Sequence, residues 1–290
     1  RFSAPPILAI LGAVAIDRMT ARRGLDPPGF QTPWRRIAAL LLVTIPLWVA
    51  LFGPLSAIGT DDIAPDFSHV GYAELFALQM VFAAVAAGWY VLGFAGFGVR
   101  TGGFSVGAQL GFRTPRPFFE VGLGMLAGVA LWAFVLCSMI AVAGVAYLLG
   151  GEEALPKSPP AAVAFIAGLP LMVRALLSLS AGVVEETFFR GLLQPRVGII
   201  LSTIGFVLAH VAYGQVLMLV GITLLSVLFA LLVRWRQNLW PAIAAHALFD
   251  AVQLLVVVPA ALKFLDSTGT TPGGPLASIL TLVARWAAIC

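Results

Sequence analysis

Long apolar runs recur along the chain, and short stretches rich in proline, glycine and charge separate them. A helix that crosses a bilayer needs about 20 predominantly apolar residues, and it satisfies its own backbone hydrogen bonds. The pattern predicts seven full spans, at 36–59, 75–99, 118–149, 161–193, 197–213, 214–233 and 239–262. Shorter apolar pieces at 5–16 and 276–290 are each an interfacial helix, a truncated span or an eighth crossing. No small-residue cleavage site follows the first piece, which argues against a signal peptide. Short alternating strands, which a membrane barrel would require, are missing from the pattern. The fold class expected is therefore all-α, a polytopic transmembrane helical bundle of about seven or eight spans, built as a single integral membrane domain over 1–290.

Composition agrees with that reading. The chain is 60% hydrophobic and 10% charged, against about 25% charged in soluble domains, and its mean hydropathy is +1.00. The linkers carry GLDPPGFQTP at 24–33, FRTPRP at 112–117, ALPKSPP at 154–160 and STGTTPGGP at 267–275. Cys137 and Cys290 form neither a disulfide framework nor a zinc cluster.

The net charge of +4 does not point to nucleic acid, because the basic residues are scattered through alternate loops. Twelve of the 17 basic residues fall on one face of the predicted topology, among them Arg22, Arg23, Arg35, Arg36, Arg100, Arg113, Arg116, Arg234 and Arg236. The opposite loops hold Asp61, Asp62, Asp66, Glu152, Glu153 and Asp266, with Lys157 and Lys263. Short loops rich in Lys and Arg stay cytoplasmic. The expectation is a multi-pass cell-membrane protein with its arginine-rich loops in the cytoplasm, and the Ala, Gly, Leu and Arg usage suggests a GC-rich bacterial source.

Ionisable groups at bilayer depth cost about 2.5–3.5 kcal/mol each on insertion scales, so they read as functional. Glu185 and Glu186 lie near the end of the fourth predicted span, His210 in the fifth, and His246 with Asp250 in the seventh. Glu186 and Arg190 are spaced i, i+4, so they can pair on one helix face. Glu185 points about 100° away from Glu186 and is left to project into a cavity. His246 and Asp250 share a face at the same spacing, and Phe206 stands one turn before His210. Taken alone, the Glu186–Arg190 pair is more often structural, and a lone intramembrane histidine is as often a helix-to-helix hydrogen bond as a catalyst. Their concentration shifts the balance, since two of the chain's three histidines fall near this glutamate pair. His69, in the acidic loop, reads as solvated. Arg174 sits in an apolar stretch where it can snorkel, and is given no role.

EETFFR at 185–190, FVLAH at 206–210 and HALFD at 246–250, in this order on separate predicted spans, resemble a known pattern. They fit Glu-Glu-x-x-x-Arg, Phe-x-x-x-His and His-x-x-x-Asn/Asp of the CAAX protease and bacteriocin-processing (CPBP, or Abi) family of intramembrane endopeptidases, which includes the Rce1 prenyl-protein proteases. The resemblance covers about 161–262, which would be the catalytic core. It implies that Glu185 is the general base activating a water that His210 also holds, and that His246 and Asp250 stabilise the oxyanion. Glu186, Arg190 and Phe206 would be supporting residues. Amide hydrolysis independently needs a base and donors aimed at the developing oxyanion. An ionised Asp250 cannot donate, so the reading makes it an acceptor that orients His246. The short link after Pro195 would leave His210 deeper than Glu185, so residues 195–200 are expected to lie flat at the interface.

The leading expectation is an endopeptidase that cuts peptide bonds of membrane-associated substrates, lipidated or not, near the cytoplasmic face. It requires no cofactor. A variant has Glu185, His210 and His246 ligate zinc; with no His-Glu-x-x-His helix present, it ranks second. Alternatives from other classes are a proton or ion transporter using the buried Glu, His and Asp, and a non-proteolytic membrane scaffold.

Overall fold

The computed structural model describes residues 4–57, 70–96, 106–154, 161–211 and 215–268. His69, Arg100, Lys157, Cys290, the apolar piece 276–290 and the aspartates at 61, 62 and 66 lie outside them. The described residues form helices and no strands. These are α1 Ala4–Arg22, α2 Pro33–Ala57, α3 Tyr72–Phe94, α4 Val106–Gln109, α5 Pro117–Gly150, α6 Ala161–Ala167, α7 Leu171–Glu185, α8 Gln194–Ala209, α9 Val216–Arg236, α10 Trp240–Val252 and α11 Val258–Thr268. Two π-helical segments, Glu186–Leu193 between α7 and α8 and Gln253–Val257 between α10 and α11, and two short 3-10 helices, Pro28–Gln31 and Gly151–Ala154, join them.

Among the described residues, six helical stretches are long and apolar enough to cross a membrane. Their outward faces are greasy: Phe118, Leu126, Leu148 and Leu149 are 73–91% exposed, far more apolar surface than a water-soluble protein leaves uncovered. This is a multi-pass membrane protein with an all-α fold. The apolar piece at 5–16 belongs to α1, which packs along α2 and is pinned by the Arg36–Asp17 ion pair at 2.8 Å.

The predicted fourth and fifth spans differ from expectation in two ways. The fourth starts at Leu171 rather than 161, because Pro170, extended at φ −54 and ψ 145, separates α6 from α7; proline cannot continue a helix. The fourth and fifth together form one helical stretch, Leu171–Ala209, that folds back on itself at a single residue. Gly198 has φ 86 and ψ 173, a region essentially reserved for glycine. Ser202 donates to the Phe189 carbonyl at 2.8 Å, whereas a straight helix would hold those residues roughly 20 Å apart. The chain therefore reverses, and the return arm packs against the π-helix. Residues 194–197 are helical, and Arg23 donates to the Pro195 carbonyl beside the bend.

A second reversal is equally compact. α9 ends in the left-handed Gln237, φ 57, and α10 starts at once with Pro241 in its first turn. Arg234 and Arg236 occupy the last turn of α9, where cations complement the helix dipole. Arg236 then clamps Glu120 of α5 in a two-bond pair at 2.6 and 2.9 Å. The Arg23, Arg35, Arg36, Arg196 and Arg236 neighbourhoods thus collect at one end of the bundle, as the loop charges predicted.

Candidate active site

Three backbones bring the polar residues together. α7 and α10 approach so closely that a Cβ at Gly182 would lie 2.8 Å from the Ile243 carbonyl oxygen and 2.9 Å from the Ala247 nitrogen; small residues permit such contact between membrane helices. One turn further along, Glu186 meets His246. The reversal at Gly198, almost midway in sequence between Glu185 and His210, returns the histidine to the level of the glutamate. The compact α9–α10 turn likewise sets Phe229 against His246, with rings stacked at 4.9 Å.

The adjacent glutamates diverge as the sequence predicts, although Glu186 starts a π-helix rather than continuing α7. π-Segments are frequent at functional sites. Glu186 and Arg190 are sealed, at 0% and 1% side-chain exposure, and pair at 3.0 Å. Glu185, His210 and Asp250 are partly accessible, at 18%, 17% and 26%. They line a cavity of about 350 Å³, together with His246 and apolar residues from α2, α3 and α9.

Hydrogen bonds fix both imidazoles. His210 Nδ1 lies 2.7 Å from the Phe206 carbonyl, which can only accept, so that nitrogen donates. His210 Nε2 stands 3.8 Å from Glu185 Oε2. Phe206 stacks on His210 at 4.5 Å and lies beneath the Arg190 guanidinium at 4.4 Å. His246 Nδ1 donates to Glu186 Oε1 at 2.8 Å, the same oxygen that accepts from Arg190. Glu186 therefore orients His246 through Nδ1, a contact that the sequence does not reveal. Asp250 faces the opposite nitrogen, Nε2, at 3.5 Å.

The sequence reading missed the supports on α9 and α3. Arg190 Nη2 donates to both the carbonyl and the hydroxyl of Ser226 at 3.1 Å. A lone serine in an apolar span was a faint signal for this, and Phe229 gave none. Arg196, counted as a loop charge, is 5% exposed; its guanidinium lies 3.9 Å from the Trp89 ring centroid and donates to the Tyr90 hydroxyl. Arg174, given no role, donates to the Leu254 carbonyl at 2.8 Å inside the second π-helix, where the wider turn displaces backbone acceptors. Among the described residues, no three His, Cys, Asp or Glu side chains gather closely enough to hold a metal ion.

Phe189, Phe206 and Phe229, all at most 3% exposed, close the cavity toward the arginine-bearing end. Its walls run the other way, along Leu75, Leu177 and Leu254.

Residues 167–252 match the family model described as Type II CAAX prenyl endopeptidase, Rce1-like. The chain is also 34% identical over 77 residues to the uncharacterised protein YpbD of Bacillus subtilis, an alignment that covers 26% of this chain and 41% of that relative. The chain thus spans about two fifths of that curated relative's length. No solved structure matches it.

Proposed function

We propose that this chain, whose residues 167–252 match the Rce1-like family model of CAAX prenyl endopeptidases, is an intramembrane peptide hydrolase with Glu185 as its base. The observation that carries the reading is the placement of Glu185 Oε2, buried and without a hydrogen-bond partner, 3.8 Å from His210 Nε2, on two residues that line the cavity. In this reading a water admitted beside the pair with the substrate bonds to both residues, which turns a lone pair toward the peptide carbonyl. Water-bridged contacts across such a gap are nearly as favourable as direct ones.

The steps balance with these residues alone. Glu185 takes a proton as the water oxygen bonds to the carbonyl carbon, and the carbonyl oxygen becomes an oxyanion. His246, held by Glu186 through Nδ1, donates from Nε2 as an imidazolium. The Glu186 carboxylate supports that positive charge, and Asp250 lies beside the donated proton. When the C–N bond breaks, Glu185 returns its proton to the leaving amine. A positioned base contributes typically about 10²–10⁴-fold, and a preorganised oxyanion donor about 10²–10³-fold.

The substrate class is a membrane-associated peptide or protein, with or without a lipid, cut in a bacterial cytoplasmic membrane. The catalytic core is 161–262, and chemistry needs no metal. The purified protein in proteoliposomes is to be assayed with reporter peptides. Glu185→Ala and Glu185→Gln should lower cleavage by at least about 10²-fold while the protein elutes as the parent does, and exhaustive chelation should leave the parent's rate unchanged. Full cleavage by Glu185→Ala would sink the assignment, and ion flux without any cleavage would favour a transport pathway instead.

A further inference from the structure

A second cavity, of about 490 Å³, lies at the arginine-bearing end of the bundle. Arg190, which rests against the Phe189, Phe206 and Phe229 rings, forms part of its floor together with the buried Gly191 and Leu239. Its rim is exposed: Arg23 just after α1, Gln109 of α4, and Arg234 and Gln237 at the end of α9. Both tight reversals of the chain border it, at Gly198 and at Gln237. The compact turns thus leave a crevice that runs from the surface down to a buried guanidinium.

Three arginines from distant parts of the chain line this crevice, and none of its described lining residues is Asp or Glu. The neighbouring stretch 97–105, which leads into α4, contains no acidic residue in its sequence either. Arg190 is neutralised by Glu186 at 3.0 Å, although its buried Nε has no hydrogen-bond partner. Arg23 and Arg234 are not neutralised, since among the described residues neither pairs with a carboxylate. The Arg23 guanidinium is nonetheless held in place. Its Nη1 donates to the Pro195 carbonyl at 3.1 Å, and a Cβ at Gly198 would lie 3.4 Å from its Nη2. Two uncompensated positive charges therefore border one crevice, which an anion would complete.

The surroundings say what kind of anion. Trp235, exposed, follows Arg234 in the chain, and exposed tryptophans mark the headgroup level of a bilayer. Leu231 precedes Arg234 by three residues, on the same face of α9, and it too is exposed. Ile200 and Ile204, spaced i, i+4 on α8 beyond the lining residue Ile199, are exposed as well. Apolar helix faces thus lead away from the crevice where acyl chains would run, and a free phosphate would need none of them. Guanidinium groups match phosphate oxygens in pairs, and basic pockets between membrane helices hold anionic headgroups. We infer that this crevice binds the phosphate of an anionic phospholipid headgroup, with Arg23 and Arg234 as its charged partners.

Native mass spectrometry of the purified chain in detergent, titrated with phosphatidylglycerol, should show one tightly retained lipid that phosphatidylcholine does not replace. The double variant Arg23→Gln, Arg234→Gln should weaken that retention about 30-fold, and Arg234→Gln alone about 5-fold. The single variant carries the test if the double variant does not fold; undiminished retention by a folded Arg234→Gln protein overturns the site. Arg18→Gln, Arg22→Gln removes the same charge from exposed residues of α1 outside the crevice, and should leave retention nearly unchanged. Equal losses in the two double variants would mean that binding follows net charge, and would overturn the site. Phosphatidylglycerol should also raise the thermal midpoint of the parent, as a ligand of the folded state does. Inorganic phosphate that raises it as far would overturn the lipid as the occupant. No readout here requires cleavage, so the crevice is tested apart from the hydrolase reading.

Discussion

Glu186 Oε1 accepts from Arg190 and from His246 at once, inside a site with no measurable exposure at Glu186. One carboxylate therefore neutralises a buried cation and orients an imidazole. Removing one partner of a buried pair leaves a charge uncompensated, at a cost of about 3–5 kcal/mol. Glu186→Gln should lower the thermal midpoint in detergent accordingly. The double variant Glu186→Gln, Arg190→Met removes both charges and should recover part of that loss, a non-additivity expected of contacting residues. It should not recover cleavage, because His246 still lacks the carboxylate that supports its charge. Recovery of both would reduce Glu186 to a structural partner of Arg190. The i, i+4 spacing made the Glu186–Arg190 pair legible in the sequence. The His246 contact was not, since it joins residues on different helices through a backbone approach set at Gly182.

The reversal at Gly198 sets the geometry of the site at the scale of elements. A periodic apolar pattern resumes after Pro195, and from the sequence it reads as a separate span with a short interfacial link. The backbone instead turns through one residue at φ 86, ψ 173. A residue with a Cβ held there costs about 1–3 kcal/mol. Gly198→Ala should thus destabilise the fold by that order in thermal melts, and by tilting the return arm it should cut the turnover rate more than substrate binding. Unchanged stability and turnover would place the pivot elsewhere. Apolar periodicity reports which residues avoid water, and it carries no information about the φ of one glycine.

The whole molecule holds more than the segment that matches the Rce1-like family. Arg196, inside that segment, is covered by Trp89 and Tyr90 of α3. Glu120 of α5 receives Arg236, and Trp132 of α5 donates to Gln253 at 3.1 Å. A fragment 161–268 would expose these groups and the apolar faces that α3 and α5 cover. It should fail to give a protease-resistant, monodisperse protein in detergent, whereas the full chain should give one. A stable fragment would mean that α1 to α5 serve the cavity without holding the core together.

The amino-acid sequence by itself determined the class of solvent, the apolar helices and the clustering of arginines at one end. Each of these depends on local composition and length, which the bilayer reads directly. It also exposed Glu185, His210, His246 and Asp250, because ionisable groups are rare in such surroundings. Only the tertiary structure decided which carboxylate holds which histidine, that two apparent spans form one folded-back hairpin, and that aromatic rings close the cavity on the arginine side. Those outcomes depend on distances between helices far apart in the chain. A few ångströms of backbone approach, set by glycines and compact turns, select one pairing from several that the same residues could make.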